Sequence, residues 1–293
     1  MSAAAPGTLG NGTLGILAGG GHLPLRLARA AGQAGRPVFA VVLSGWGDPA
    51  QWAGLPHTVE RVGAAGRILS RLRAEGVRQL ALAGRVRRPS VAALRPDAVG
   101  VRIVARIGTG FLLGDDGLLR AVARVLEEEG FEVVSPQSVL AGLLPESGLL
   151  SRAAPGVADR ADIGRGIAVC RALGAADVGQ AVVVQQGLVL GVEAIEGTDA
   201  LLARCGPLRR EGGGGVLVKL AKPGQDRRLD LPAVGPETVR NAAAAGLAGI
   251  AFGAGATVLL DRERTVAAAD AAGLFLLALE PHETTATIKE TTP

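Results

Sequence analysis

The residues best suited to chemistry lie in one stretch, positions 215–232. An apolar run interrupted only by Lys219 predicts a strand, and Lys222-Pro223-Gly224 predicts its end, because proline removes a backbone donor and glycine permits a sharp reversal. An amide, two carboxylates and two guanidiniums follow the turn: Gln225, Asp226, Arg227, Arg228 and Asp230. Carboxylates at a strand end can hold a hard cation, and the basic groups can hold phosphate. A solvated turn is the alternative interpretation.

Composition restricts the class of site. The 293 residues include three histidines and two distant cysteines, Cys170 and Cys205, which disfavours a zinc site. A net charge of +4 suits a phosphorylated metabolite, whereas an aromatic content of 2% disfavours nucleic-acid binding by base stacking. The N-terminus lacks the pattern of a signal peptide, and no apolar run approaches the about 18 residues of a membrane span. We therefore expect a soluble, cytoplasmic protein.

Strands alternating with helices predict an α/β fold with two domains. Residues 12–139 are expected to form an N-terminal Rossmann-like domain with a parallel sheet, and residues 140–156 a linker. Residues 157–280 are expected to form a C-terminal mixed α/β catalytic domain, in which Gln185-Gln186-Gly187 indicates a hairpin. Residues 281–293 are expected to form a disordered tail. A ligand cleft is expected between the two domains.

Glycines follow the first predicted strand. Gly19, Gly20 and Gly21 stand between that strand and a helix, where backbone amides can approach a phosphate. Pro24 occupies the third glycine position of a dinucleotide fingerprint, and a Walker A ending is absent. The pattern indicates a nucleotide-phosphate loop of another kind, or else a tight turn that packs the helix on the sheet.

Arginines follow the third strand predicted in this domain. Arg85, Arg87 and Arg88 come after residues 77–83, at the carboxyl edge of the sheet, where ligands bind in open α/β folds. Arginine forks match phosphate geometry, and a solvated basic loop is the alternative.

Acidic residues stand at two further junctions. Asp115-Asp116 lies between helices predicted over 94–107 and 118–129, where a carboxylate can bind Mg²⁺ or, more commonly, cap the helix. Alternation along residues 188–194 places Glu193 on the same face as Ile195. One acid there is expected to be a cap, and a hydrogen bond toward a sugar or uracil is the other interpretation.

Five ordered segments, 15–24, 84–89, 177–184, 192–199 and 219–226, together resemble the LpxI-type UDP-2,3-diacylglucosamine pyrophosphatases of lipid A biosynthesis. The resemblance implies a Mg²⁺-dependent hydrolase that splits a pyrophosphate to give UMP and 2,3-diacylglucosamine 1-phosphate (lipid X). It also implies a homodimer with the substrate between two α/β domains. The lipid substrate implies peripheral contact with the inner membrane. The family's essential acid corresponds to Asp226.

These implications, with the residue chemistry, give a set of expected site residues. Catalytic roles are expected for Asp226, Lys222 and Gln225, and metal binding for Asp226 and Asp230. Asp226 holds Mg²⁺, or orients and deprotonates the attacking water, while Asp230 or an acid among Glu193, Glu196 and Asp199 assists. Substrate binding is expected of glycine, basic, acidic and polar residues: Gly19, Gly20, Gly21, Arg85, Gln180, Glu193, Thr198, Asp199 and Lys219.

Two competing functions fit parts of the pattern. A nicotinamide-dependent oxidoreductase would use the Rossmann-like domain, although the third glycine and the ribose-binding acid are missing. A nucleotide-sugar-sensing module would keep the glycine loop without needing Asp226.

Overall fold

The computed structural model describes residues 12–86, 90–108, 115–140 and 142–280, apart from the side chains of residues 91, 92 and 115. The expected tail 281–293 and the arginines Arg87 and Arg88 lie outside these residues. The chain divides into two compact units between residues 141 and 142, and the segment Asp226–Asp230 groups with the first unit. Sequence analysis placed this segment in the C-terminal domain. It groups with the first unit because Leu229 is buried in that unit's core.

The first unit is a five-stranded, fully parallel sheet flanked by helices. Its strands are β1 (Thr13–Ala18), β2 (Val38–Leu43), β3 (His57–Glu60), β4 (Val77–Ala83) and β5 (Glu132–Val134). Its helices are α1 (Leu23–Gln33), α2 (Ala65–Ala74), α3 (Val91–Leu94), α4 (Ala98–Ile107), α5 (Asp115–Glu128) and α6 (Pro136–Val139). The strand order β3-β2-β1-β4-β5 confirms the Rossmann-like prediction. The short strand β3 was not predicted.

Both faces of the first sheet are buried, as a parallel sheet requires. Leu14 and Ile16 pack with Leu27 of α1 on one face. On the other face, Leu80 packs with Leu69 of α2 and Leu126 of α5 belongs to the same cluster. The near-continuous apolar strands follow from this burial.

The single helix expected over 94–107 is wrong, because the chain forms α3 and α4 with a break between them. Pro96 disfavours helical backbone at the preceding residue, and Arg95 adopts a left-handed φ of 42°. Asp97 then starts α4 by accepting a hydrogen bond from Gly100 N at 2.7 Å. A proline followed by a capping residue thus separates the two helices.

The second unit contains a six-stranded mixed sheet and a two-stranded parallel ribbon. Its strands are β6 (Gly148–Leu149), β7 (Ala181–Gln185), β8 (Leu188–Val192), β9 (Val216–Lys219), β10 (Ala233–Val234), β11 (Gly249–Gly253), β12 (Val258–Leu259) and β13 (Phe275–Leu279). Its helices are α7 (Val157–Ala175), α8 (Thr198–Cys205), α9 (Pro236–Ala244) and α10 (Arg262–Ala272). The sheet order is β6-β13-β11-β9-β7-β8, with β7 and β8 antiparallel, so the predicted mixed α/β fold is confirmed.

The predicted hairpin joins β7 to β8 through Gln186 and Gly187, which both have positive φ, as in the common two-residue hairpin turns. Buried Asp162 of α7 accepts hydrogen bonds from the backbone N–H groups of Gln186 (2.9 Å) and Gly187 (2.7 Å). The long helix α7 therefore fixes this edge of the sheet. Throughout the described ranges, no helix combines the length and apolar character needed to cross a membrane.

Candidate active site

The glycine loop of the first unit meets Arg85 beside the switch point of the parallel sheet. β1 and β4 are neighbours, and the strand order reverses between them. After these strands end, Gly20 and Arg85 exchange two backbone hydrogen bonds of 2.9 Å. The Arg85 side chain is exposed. The two segments quoted from the sequence are therefore brought together, at the edge where open α/β sheets bind ligands.

Close packing explains two of the three glycines. A Cβ atom at Gly19 would lie 2.7 Å from the Arg85 carbonyl oxygen, and one at Gly20 would lie 2.9 Å from the Trp46 carbonyl oxygen. Gly21 differs, since a Cβ there would meet nothing within 4 Å but its φ is +91°. Gly19 and Gly20 are thus packed closely against the backbone of residues 85 and 46, while phosphate binding by the loop and a turn that packs the helix on the sheet both stay predictions.

Asp226 is held within the first unit by Arg228. The Asp226 Oδ1 atom accepts hydrogen bonds from Arg228 N (3.0 Å) and Nε (3.1 Å), and Oδ2 accepts one from Nη2 (2.8 Å). Arg228 also donates from Nη1 to Glu127 Oε1 at 2.7 Å. These hydrogen bonds from Arg228 lower the pKa of Asp226, with the charge of Arg120 adding to the effect. Asp226 is therefore a firmly ionised carboxylate.

A second acid lies near the same positive charge. Asp116 lies in the first turn of α5 and forms an ion pair with Arg120, with 3.1 Å between Asp116 Oδ2 and Arg120 Nη2. Asp116 is 8% exposed, and no group among the described residues donates a hydrogen bond to its buried Oδ1 atom. Asp116 is the second residue of α5, so it is not itself the N-cap, and a capping role for one acid of the pair 115–116 stays a prediction.

Asp230 differs from Asp226 in its surroundings. It is exposed, and its backbone N–H approaches the Asp226 carbonyl oxygen at 3.4 Å. Among the described residues, no group of three or more His, Cys, Asp or Glu side chains could hold a metal ion. Mg²⁺ in proteins commonly takes one or two carboxylates and completes its shell with water and substrate phosphates. The oxygen chemistry of Asp226 fits such a site.

In the second unit, Lys219 and Glu193 are joined through the hydroxyl of Thr198. Lys219 Nζ donates to Thr198 Oγ1 at 2.8 Å, and Thr198 Oγ1 donates to Glu193 Oε1 at 2.5 Å. Lys219 and Glu193 are each 6% exposed. Gln180 donates its backbone N–H to Glu193 Oε2 at 3.2 Å, and its own buried Oε1 atom has no hydrogen-bond partner in the part of the chain that the structure describes. Four expected substrate-binding residues thus lie together.

The expectation that Glu193 and Ile195 share a face is wrong. β8 ends at Val192, so the alternation stops before Glu193. Glu193 turns inward and is buried, whereas Ile195 is fully exposed. Glu196 accepts a hydrogen bond from Ala194 N at 3.1 Å and pairs with Arg204.

The thiol closest to this network is chemically inert. Cys170 is 3% exposed, and its Sγ atom lies 3.4 Å from the Val218 carbonyl oxygen. Burial raises the pKa of this thiol to about 12, and the charge of Glu193 adds to the effect. The thiol stays protonated at neutral pH, which excludes it as a nucleophile.

Lys222 and Gln225 close the turn that follows β9. Gln225 is 8% exposed, and its side-chain Oε1 accepts a hydrogen bond from Lys222 N at 3.0 Å. The Gln225 backbone N–H donates to the Lys222 carbonyl oxygen at 3.2 Å. The Lys222 ammonium pairs with Asp177, with 2.7 Å between Nζ and Oδ1. Asp177 begins one of the five segments that carry the family resemblance, and the sequence predicted no role for it.

Asp199 has neighbours different from those of the other expected substrate-binding residues. It lies in the first turn of α8, where a carboxylate favours the helix dipole, and its Oδ1 accepts a hydrogen bond from Asn241 Nδ2 at 2.9 Å. Substrate binding by Asp199 stays a prediction.

Sequence reasoning missed the partners of the expected catalytic residues. Asp177 partners Lys222, while Arg228 and Glu127 form the network around Asp226. Glu127 is 101 positions from Arg228 along the chain. No spacing rule links positions so far apart, whereas the charge of Arg228 two residues after Asp226 was a usable signal.

Both units of the chain match the same family of known proteins. The sequence model of the LpxI N-terminal domain matches residues 13–143, and that of the LpxI C-terminal domain matches residues 146–277. A protein from Caulobacter vibrioides, named UDP-2,3-diacylglucosamine pyrophosphatase LpxI, is 42% identical over 276 residues. The match covers 92% of this chain and 98% of that protein.

Proposed function

This chain belongs to the LpxI family, and on that premise we propose that it hydrolyses UDP-2,3-diacylglucosamine. Water attacks one phosphorus of the pyrophosphate and one P–O bond breaks, which releases UMP and 2,3-diacylglucosamine 1-phosphate. The observation that carries the proposal is the 42% identity to a pyrophosphatase across 98% of its length. The LpxI domain models match both units, and the C-terminal one spans the turn around Asp226.

Asp226 is the acid we place at the reaction centre. Its pKa is lowered by the hydrogen bonds from Arg228, so at neutral pH it is ionised. A carboxylate with a depressed pKa is a weak general base, because proton acceptance is most effective when the pKa lies near the working pH. We therefore assign Asp226 to holding a cation and orienting water, with Asp230 assisting.

Mg²⁺ is the proposed cofactor, because ionised carboxylate oxygen is the ligand that this hard cation prefers. Asp226, with Asp230, would hold the ion. When bound, Mg²⁺ offsets negative charge that builds on the pyrophosphate oxygens.

Basic groups and backbone amides complete the proposed machinery. Lys222 supplies a positive charge toward the same oxygens, which is the main catalytic requirement in phosphoryl transfer. The loop Gly19–Gly21 and Arg85 are proposed to bind the phosphate side of the nucleotide. The buried set of Lys219, Thr198 and Glu193 is proposed to support substrate contacts from the second unit.

We extend the proposal to a cytoplasmic homodimer that contacts the inner membrane peripherally. The family resemblance supports the dimer, and the acylated substrate supports the membrane contact. Light scattering on the purified protein tests the dimer, and sedimentation with vesicles tests the membrane contact.

The decisive experiment measures UMP release from UDP-2,3-diacylglucosamine with Mg²⁺, with and without EDTA. Asp226→Asn is compared with wild type, and Glu75→Gln, an exposed carboxylate-to-amide change in the same unit, serves as the control. We expect metal-dependent release, at least about 10²-fold slower turnover in Asp226→Asn, and an unchanged rate in Glu75→Gln. Absence of release from folded, metal-loaded protein would favour the sensing module. Near-normal turnover in Asp226→Asn would remove this residue from the centre.

A further inference from the structure

Lys222 has a backbone fixed by its own turn and a side chain that reaches an acid 45 positions away in the sequence, Asp177. The turn is closed by two hydrogen bonds with Gln225, one through the amide side chain and one through the backbone. The Lys222 side chain is only 13% exposed, and its Nζ atom lies 2.7 Å from Asp177 Oδ1. A lysine this deeply placed is rarely found without a partner. The position of the ammonium therefore depends on Asp177.

Asp177 occupies a backbone conformation that most side chains avoid. It follows the C-terminus of α7, where Asp177 N bonds to the Gly174 carbonyl oxygen (3.1 Å) and Val178 N to the Leu173 carbonyl oxygen (3.0 Å). Its φ is +53°, in the left-handed region where glycine is the usual residue at a helix end. Aspartate is one of the few non-glycine residues that adopt this conformation, so the helix end can carry a carboxylate at this position.

The distance between these residues is set by the packing of two backbone segments. A Cβ atom at Gly174 would lie 2.8 Å from Pro223 Cδ and 3.3 Å from Lys222 Cα. The last turn of α7 therefore packs directly on the Lys222-Pro223 turn. This contact brings the Asp177 carboxylate within reach of the ammonium without requiring either side chain to move far.

We propose that Asp177 is a positioning residue, which holds the Lys222 ammonium in the orientation that catalysis uses. An ammonium has three N–H donors, so one carboxylate leaves donors for pyrophosphate oxygens. Asp177 orients the ammonium through this charged hydrogen bond and, being negative, adds no positive charge of its own toward the substrate. The inference rests on the proposed function of Lys222. A misplacement of about 1 Å in a positioning contact can cost about 10²-fold in rate.

The first test is a double-mutant cycle of Asp177→Asn, Lys222→Met and both together, with UMP release as the readout. Asparagine keeps the size of the side chain and tolerates the left-handed conformation, so Asp177→Asn removes mainly the charge. We expect Asp177→Asn to lower kcat by about 10- to 100-fold with KM changed by less than about threefold. In the Lys222→Met background the same change should have no further effect.

A purely structural role gives a different pattern. Asp177→Asn would then lower kcat equally in both backgrounds and lower Tm by a similar amount in each, and this result overturns the proposal. A wild-type kcat in Asp177→Asn overturns it as well. Asp270→Asn is the matched control, because Asp270 also pairs with a cation in the second unit, with 3.4 Å between Oδ2 and Arg152 Nε. It should leave kcat unchanged.

A second readout needs no turnover, so failure of the proposed function can be told from failure of this inference. The chain has only three lysines, Lys219, Lys222 and Lys289. Limited acetylation followed by peptide mass spectrometry reports each one separately. We expect Asp177→Asn to increase the labelling rate of Lys222 at least about threefold while Lys219 stays unchanged, because only Lys222 loses its carboxylate partner. Unchanged labelling of Lys222 would show that Asp177 does not hold it, whatever the substrate.

Discussion

Arg228 donates hydrogen bonds to both carboxylate oxygens of Asp226. Its backbone N–H and Nε donate to Oδ1 (3.0 and 3.1 Å), and Nη2 donates to Oδ2 (2.8 Å). Glu127 Oε1 accepts a hydrogen bond from the remaining guanidinium nitrogen, Arg228 Nη1, at 2.7 Å, and keeps the guanidinium in place. Bidentate arginine–carboxylate pairs combine charge with fixed geometry, so they orient an acid as well as ionise it. The proposed metal-binding carboxylate is thus prepared by its neighbour two positions along the chain.

The pH dependence of turnover tests this relationship. Hydrogen bonds from Arg228 lower the pKa of Asp226, so its carboxylate survives to lower pH than an ordinary aspartate. Arg228→Gln removes that stabilisation, the pKa rises, and less of the acid is ionised at a given acidic pH. We expect the acid limb of the kcat/KM profile of Arg228→Gln to move to higher pH, measured by UMP release between about pH 2 and 6, a range about two units either side of the ordinary aspartate pKa of about 3.9.

Glu127→Gln is the control for that profile. It removes the acid beyond the guanidinium but leaves the Asp226–Arg228 pair intact, so its acid limb should not move upward. Parallel profiles for wild type and Arg228→Gln, differing only in height, would mean that ionisation of Asp226 does not limit the reaction.

The glycine loop gives a prediction on stability. In Gly19→Ala the new Cβ would lie 2.7 Å from the Arg85 carbonyl oxygen, a backbone atom that cannot rotate away. We expect this change to lower the free energy of unfolding by about 1–3 kcal/mol, the usual cost of overpacking. Gly32→Ala is the matched control, because Gly32 lies exposed in α1 and its added Cβ would meet nothing within 4 Å.

Gly32→Ala should raise the free energy of unfolding by about 0.5–1 kcal/mol, since alanine favours helix over glycine. Urea denaturation of the two variants measures the difference. Equal stability of Gly19→Ala and wild type would show that the two loops separate easily, and would contradict the close packing of Gly19 on Arg85.

The sequence was sufficient for the features that local rules control. Strand and helix alternation indicated the α/β fold, and Gln185-Gln186-Gly187 indicated the hairpin, because burial and turn chemistry leave short-range patterns. The break at Pro96 was a local signal that a longer apolar periodicity obscured. The resemblance predicted a catalytic role for Asp226, which stays a prediction, and gave no sign that its segment groups with the first unit.

The partners of the site could not be predicted in the same way. Asp177 and Lys222 are 45 positions apart, and their contact depends on how α7 packs against the turn after β9. Residues whose roles depend on a contact between distant segments need the structure, whereas a turn or a cap is specified by a few neighbours.

The hydrogen bonds that join Lys219, Thr198 and Glu193 in the second unit give the last prediction. Thr198 both accepts from Lys219 Nζ at 2.8 Å and donates to Glu193 Oε1 at 2.5 Å, and both charged residues are 6% exposed. Thr198→Val keeps the shape of the side chain but removes the hydroxyl, so each buried charge loses a hydrogen bond. We expect the free energy of unfolding to fall by about 1–3 kcal/mol, the cost of leaving buried polar groups unsatisfied.

Thr198→Ser is the conservative comparison, because it keeps the hydroxyl and loses only a methyl group. Urea denaturation should rank wild type first, then Thr198→Ser, then Thr198→Val, with most of the loss at the second step. A larger loss in Thr198→Ser than in Thr198→Val would assign the contribution of Thr198 to packing of its methyl group, because Thr198→Val keeps that methyl group and removes only the hydrogen bonds of the hydroxyl with Lys219 and Glu193.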